Sequence, residues 1–172
     1  MAITLDGTTG VTSPDFTGAV TATTITASGI TTLNGATTIN GTTSIEEVIE
    51  KVSVDTSTTG TINFDALTSA VQYYTVAQTA NRTINFRGDG STTLNSIMAI
   101  GESMTFAVLM TQTGTAYYLN VYQVDGTGVT PKWQGGSAPA AGNINSIDSY
   151  GFTIIKTADA TFTVAASQTQ FA

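Results

Sequence analysis

Through the last two-thirds of the chain apolar and polar residues alternate with a period of two, the pattern of half-buried strands. Between residues 103 and 112, Met104, Phe106, Val108 and Met110 fall on one side, and Thr105, Ala107, Leu109 and Thr111 on the other. Further strands are predicted over 61–64, 71–77, 82–86, 96–100, 117–124, 152–156 and 160–165. Turn-forming residues separate them at Gly88-Asp89-Gly90, at Gly114, at Asp125-Gly126-Thr127-Gly128 and over 135–143. Such a series predicts an antiparallel β-sandwich, jelly-roll-like, over residues 53–172. Roughly 120 residues, which bury about two-thirds of their unfolded surface on folding, suffice for an independent core.

The first 45 residues follow a different pattern. They hold 15 threonines and only one aromatic side chain, Phe16. Thr31-Thr32-Leu33-Asn34-Gly35-Ala36 is followed by Thr37-Thr38-Ile39-Asn40-Gly41-Thr42 and by Thr43-Ser44-Ile45, so one aliphatic residue returns every six positions. Asn-Gly tolerates positive φ at both residues, and each unit reads as a very short strand with a tight turn. One apolar residue per unit cannot seal a sheet within one chain. Residues 1–43 are therefore expected to form a Thr/Gly-rich β-repeat, either a three-chain β-prism or β-helix-like shaft or an arm ordered on a capsid. A flexible linker is the competing reading.

Between the two regions, Ile45, Val48, Ile49 and Val52 fit one stripe of a helix, with Ser44 placed to cap it and Glu47 three residues on. A short helical neck over 44–52 is predicted, packed on symmetry mates or on the following domain. The contacts expected to hold an oligomer together are Leu33, Ile39, Ile45, Val48, Ile49 and Val52.

Composition supports an all-β fold, since threonine occupies 36 of the 172 positions and its branched Cβ suits a pleated surface. Twelve acidic against five basic side chains give a net charge of -7. With no Lys/Arg cluster, neither nucleic acid nor an anionic membrane is an expected partner. No apolar stretch reaches the length of a membrane span, and the start lacks the layout of a secretory signal, so synthesis in a host cytoplasm is expected. The absence of cysteine leaves packing and association as the sources of stability.

The absence of histidine and cysteine excludes a Ser/His/Asp triad, thiol nucleophiles and the zinc patterns built on those ligands. Glycoside cleavage needs only two carboxylates. The eight Asp and four Glu are scattered, however, with Asp6, Asp89 and Asp125 at turns. No enzyme activity, cofactor or metal is expected. Arg87-Gly88-Asp89 is an adhesion-type triplet whose plain reading is a hairpin tip with positive-φ glycines. The candidate binding residues are aromatic and amide side chains that suit a saccharide face: Lys132, Trp133 and Gln134 at the mouth of a Gly/Ala/Pro loop, with Tyr118 and Tyr122 on one strand face. Burial of those rings in the core is the alternative.

The opening Ile3-Thr4-Leu5-Asp6-Gly7-Thr8-Thr9-Gly10-Val11-Thr12-Ser13-Pro14 and the Thr-Leu-Asn-Gly and Thr-Ile-Asn-Gly units resemble N-terminal regions of tail-fibre-like and other virion structural proteins of marine and cyanobacterial phages. Thr61-Ile62-Asn63-Phe64-Asp65 and Ala80-Asn81-Arg82-Thr83-Ile84-Asn85-Phe86-Arg87-Gly88 resemble the β-rich head module that follows such regions. The resemblance implies a homotrimeric virion appendage. Its N-terminal part would dock on other virion proteins of the tail or capsid, and its C-terminal β-domain would face outward toward a host-surface glycan. The short length keeps a capsid decoration or cement role open, with a glycan depolymerase the more distant alternative.

Overall fold

The computed structural model describes residue 39 and residues 42–172. It divides into two units, Met1–Ile45 and Glu46–Ala172. Leu33 and the β-repeat expected over 1–43 lie outside the described residues, apart from Ile39 and residues 42 and 43, which are exposed and carry no regular structure.

The second unit is all-β, with one short helix among the described residues. Its strands are β1 Val52–Asp55, β2 Ile62–Asp65, β3 Val71–Tyr74, β4 Arg82–Arg87, β5 Ser103–Thr111, β6 Leu119–Val124, β7 Thr127–Gly128, β8 Lys132–Trp133, β9 Ile147–Ala158 and β10 Thr161–Phe171. The helix α1, Leu94–Ile97, sits between β4 and β5. One sheet has the order β1-β3-β5-β9-β10-β8 and the other β2-β4-β6-β7.

The antiparallel expectation, jelly roll included, is corrected by the pairing. β1 with β3, β3 with β5, β2 with β4, β4 with β6 and β8 with β10 are all parallel. Only β5 with β9, β9 with β10 and β6 with β7 are antiparallel among the described residues. From β1 to β6 the chain passes from one sheet to the other at each step, so it winds as three stacked coils. The β9–β10 hairpin then closes the six-stranded sheet.

In-register stacking explains the winding. Ile62 lies on Ile84, Asn63 on Asn85, Phe64 on Phe86 and Asp65 on Arg87. Like meets like at the first three levels, and opposite charges meet at the fourth. The Asn85 amide donates to the Asn63 carbonyl at 3.2 Å, the two Phe rings sit 5.7 Å apart, and the Arg87 Nε reaches Asp65 at 2.6 Å. The corners stack as well, with Thr79 N donating to Thr58 O at 2.9 Å and Ala66 N to Arg87 O at 2.9 Å. Backbone groups that a parallel edge would leave unpaired thus find partners one coil away.

Inward side chains of the two sheets share one core. Phe64 and Phe106 have centroids 4.9 Å apart, and Phe86 lies 5.4 Å from Phe106 and 4.9 Å from Phe152. The alternation expected in β5 holds: Phe106, Val108 and Met110 are buried, while Ala107 and Leu109 face the other way. Each buried Phe contributes on the order of 2–3 kcal/mol.

Two local expectations fail. The helical neck over 44–52 is not formed: residues 42–51 carry no regular structure, and Val52 opens β1 opposite Val71. So short a helix is marginal in water, and its four apolar residues are β-branched, stiff at χ1 and better suited to a strand. The strand expected over 96–100 is replaced by α1, because the Thr93 hydroxyl accepts from Ser96 N at 3.1 Å and the Asp125 carboxylate accepts from Leu94 N and Asn95 N at 2.7 and 2.9 Å. Asp125 lies some 30 residues away and satisfies the open amides at the helix start.

Candidate functional site

Three of the five candidate binding residues follow one another at the last strand of the six-stranded sheet. Lys132 pairs with Ala165 and Trp133 with Ala166, whose side chain points inward. Trp133 therefore turns toward the gap between the sheets. There it meets Tyr122 of β6 at 5.4 Å, edge to face, and Phe152 at 6.3 Å. Lys132 and Gln134 are exposed, and Trp133 and Tyr122 are half-buried.

Trp133 thus works as an end plate of the core whose rim still reaches the surface. Three shallow depressions meet at it. One borders Lys132 and Gln134 on the outside of the six-stranded sheet, one borders Pro139 and Gln168, and one borders Asn120, Tyr122 and Thr130. The left-handed backbone of Gly135 and Gly136, with φ of 77° and 83°, turns the chain sharply after Gln134 and opens the loop beside it.

Tyr118 precedes β6 instead of sharing its face with Tyr122. Its backbone N–H donates to Asn81 Oδ1 at 3.1 Å, and its ring is half-buried against the core. The Tyr122 hydroxyl donates to Leu119 O, and burial pushes its phenol well above the ordinary tyrosine value. The neighbouring Tyr150 is fully buried and its phenol is pushed up for the same reason. Its hydroxyl accepts from Gln168 Nε2 at 3.0 Å.

The chain matches no family model, no curated protein and no solved structure. What the site can do rests on its own geometry.

Most carboxylates of the second unit serve the fold. Asp55 accepts from Ser57 N at 2.6 Å, and this bond holds its carboxyl below the ordinary range. Asp65 pairs with Arg87, whose guanidinium is held above its usual value by that hydrogen bond. Asp125 caps α1, Asp148 is fully buried and accepts from Asn143 N at 3.0 Å, Asp159 accepts from Asn95 Nδ2 at 3.0 Å, and Glu102 accepts from Ala99 N at 2.8 Å. No group of three or more acidic residues suited to a metal occurs among the described residues.

The Arg87-Gly88-Asp89 triplet is likewise occupied internally. Asp89 Oδ1 accepts from Ser91 N at 2.8 Å and Thr92 N at 2.7 Å, which lowers its carboxyl below the usual range. The expected hairpin tip is corrected, because the segment leads from β4 into α1 and neither Gly88 nor Gly90 has positive φ. Gly88 is required for space: a Cβ there would lie 2.8 Å from Thr92 O.

The buried basic groups also tie elements together. Arg82 donates to Gly60 O at 3.0 Å, Ser57 O at 3.1 Å and Gln78 Oε1 at 3.1 Å, and lies 4.4 Å over the Tyr74 ring. Lys156 Nζ donates to Asn95 O and Met98 O at 2.6 and 2.9 Å, closing the C-terminal end of α1. No helix among the described residues is long and apolar enough to cross a membrane.

Proposed function

We propose that the chain is a structural subunit of a bacteriophage particle, a short homotrimeric fibre or appendage. In this reading it docks on the virion through its N-terminal part and presents the C-terminal β-domain for attachment to a host-surface glycan. The observation that carries the reading is the set of three stacked coils, in which β2 and β4 pile Ile on Ile, Asn on Asn and Phe on Phe in register and Asp65, Asp89 and Asp125 are committed to structural bonds. Such a unit is a rigid stalk-like scaffold, stabilised without disulfides and stackable with further repeats. Lys132, Trp133 and Gln134 supply the glycan contact, with the exposed rim of the indole as the stacking surface. Tyr122 supports that indole from behind.

A capsid-decorating role is favoured by a different observation. Ile45, Val48 and Ile49 are 62%, 61% and 92% exposed ahead of β1, as in an arm that waits for a neighbouring subunit.

Immunogold labelling of purified particles with antibody to the β-domain tests the location. Label at the tail is expected, label confined to the head selects the decoration role, and particles without the protein overturn both readings. Trp133 emission titrated with host surface polysaccharide tests the glycan contact. Saturable change that Lys132→Ala and Gln134→Ala each weaken several-fold is expected, and an unchanged spectrum removes that contact.

A further inference from the structure

The two sheets present unlike outer faces. On the four-stranded sheet the outward positions include Asn63, Asp65, Asn85 and Arg87, which form an amide ladder and an ion pair. That face is dressed for water. The outward positions of β1, β3, β5, β9 and β10 hold no charged side chain, although the chain carries 17 Asp, Glu, Lys and Arg residues in all (12 acidic plus 5 basic).

The register shows how the apolar residues collect. Val54, Tyr73 and Leu109 follow one another across β1, β3 and β5, and Val52, Val71 and Ala107 form the row beside them. Ile147 and Phe171 face each other in the next row on β9 and β10. Val54 is 65% and Phe171 59% exposed. Where the rows cross the middle of the sheet, Gly151 lies between Ala107 and Ser167, so the surface there is flat. Other exposed aliphatics, such as Leu67, Ile100 and Ile144, stand singly on connections between elements.

We propose that the outer face of the six-stranded sheet is the surface through which copies of this chain associate. Charge selects the occupant. At a net charge of -7 two copies repel, and they meet most readily through a face that bears no carboxylate. A strongly charged partner would find no complement on the outward positions of these five strands, and Lys132 lies on the edge strand beyond them. Size agrees with a stable contact. The 40 residues of these five strands, at about 3.3 Å each and with strands about 4.8 Å apart, span roughly 630 Å², approaching the ~800 Å² per partner of a standard interface. Flat faces of this kind pack at about 10 Å, as sheets do within one domain.

The contact goes beyond the virion reading, because it concerns the isolated chain wherever that chain is used. The experiment is light scattering on the full-length protein. The wild type is expected to have a mass that is a multiple of 17.7 kDa. Val54→Glu combined with Phe171→Glu should give a monomer with an unchanged circular dichroism spectrum, while Val121→Glu on the outer face of the other sheet should keep the wild-type mass. If the double variant does not fold, Thr169→Glu, in the same row as Val54, takes its place. A monomeric wild type, a variant that keeps the oligomer, or equal dissociation by Val121→Glu overturns the proposal. Immunogold labelling decides the virion reading separately.

Discussion

Ala160 stands at the tip of the β9–β10 hairpin with φ of 47°, a left-handed conformation that a Cβ disfavours. The fold holds it there because its N–H donates to Asn95 Oδ1 at 2.8 Å, fastening the hairpin to α1. Glycine adopts this conformation without the steric penalty and keeps the N–H. Ala160→Gly is therefore expected to raise stability by about 0.5–1 kcal/mol, less the extra entropy of glycine in the unfolded chain. Urea unfolding of the two proteins checks it, and a midpoint shifted downward contradicts the argument. The Asp125-Gly126 turn was readable in advance from its residues. It joins β6 to β7 with φ of 51° and 78°, the pair of positive values that Asp-Gly signals. Ala160 carried no such signal, since alanine is placed in a left-handed turn only by its surroundings.

The coil is the repeating element, and its strength lies in what stacks on what. Asn85 is the hinge of one such stack: its amide donates to Asn63, and its carbonyl accepts from Gly126 N at 2.8 Å, linking β2, β4 and the β6–β7 turn. Asn63 makes only the first of these bonds among the described residues. Asn85→Ala should therefore cost about 1–2 kcal/mol and more than Asn63→Ala, a difference that thermal unfolding resolves. Equal losses would mean the turn bond contributes nothing. At this scale β5 was legible within one residue, because long alternation leaves few ways to end a strand. β1 was not legible. Val48, Ile49 and Val52 fit a helical stripe as well as a strand, and the decision fell to Val71, which offers Val52 a partner in the next coil. A signal for the stacking did exist. Thr61-Ile62-Asn63-Phe64 returns as Thr83-Ile84-Asn85-Phe86, and a repeat of whole strands at a fixed offset is the mark of a solenoid.

Across the whole molecule, two buried phenols, Tyr74 and Tyr150, and the half-buried Tyr122 link stability to alkaline pH. Burial raises Tyr74 to about 12 from an ordinary 10.0 and raises Tyr122 and Tyr150 further. In each case the folded chain favours the protonated form. The stability this confers is complete below pH 10 and is lost as pH rises toward the folded values, because the unfolded chain ionises first. Urea midpoints should fall steeply between pH 10 and 12, with the last phenolate absorbance appearing only as the circular dichroism of the sheets disappears. Phenols that all titrate together near 10 in a folded chain would contradict this.

The all-β class, the alternating faces of β5 and the Asp-Gly turn follow from the sequence by itself, because φ preference and a period of two are local properties of a chain. The tertiary structure decided which strands pair, in which direction, and where Trp133 points. The reason is physical: alternation is the same in parallel and antiparallel strands, and only contacts between residues far apart in sequence, such as Asn63 with Asn85 or Trp133 with Tyr122, distinguish a winding coil from a meander. The uncharged outer face is likewise a product of register. Val54, Leu109 and Phe171 are scattered along the chain, and pairing alone brings them onto one surface.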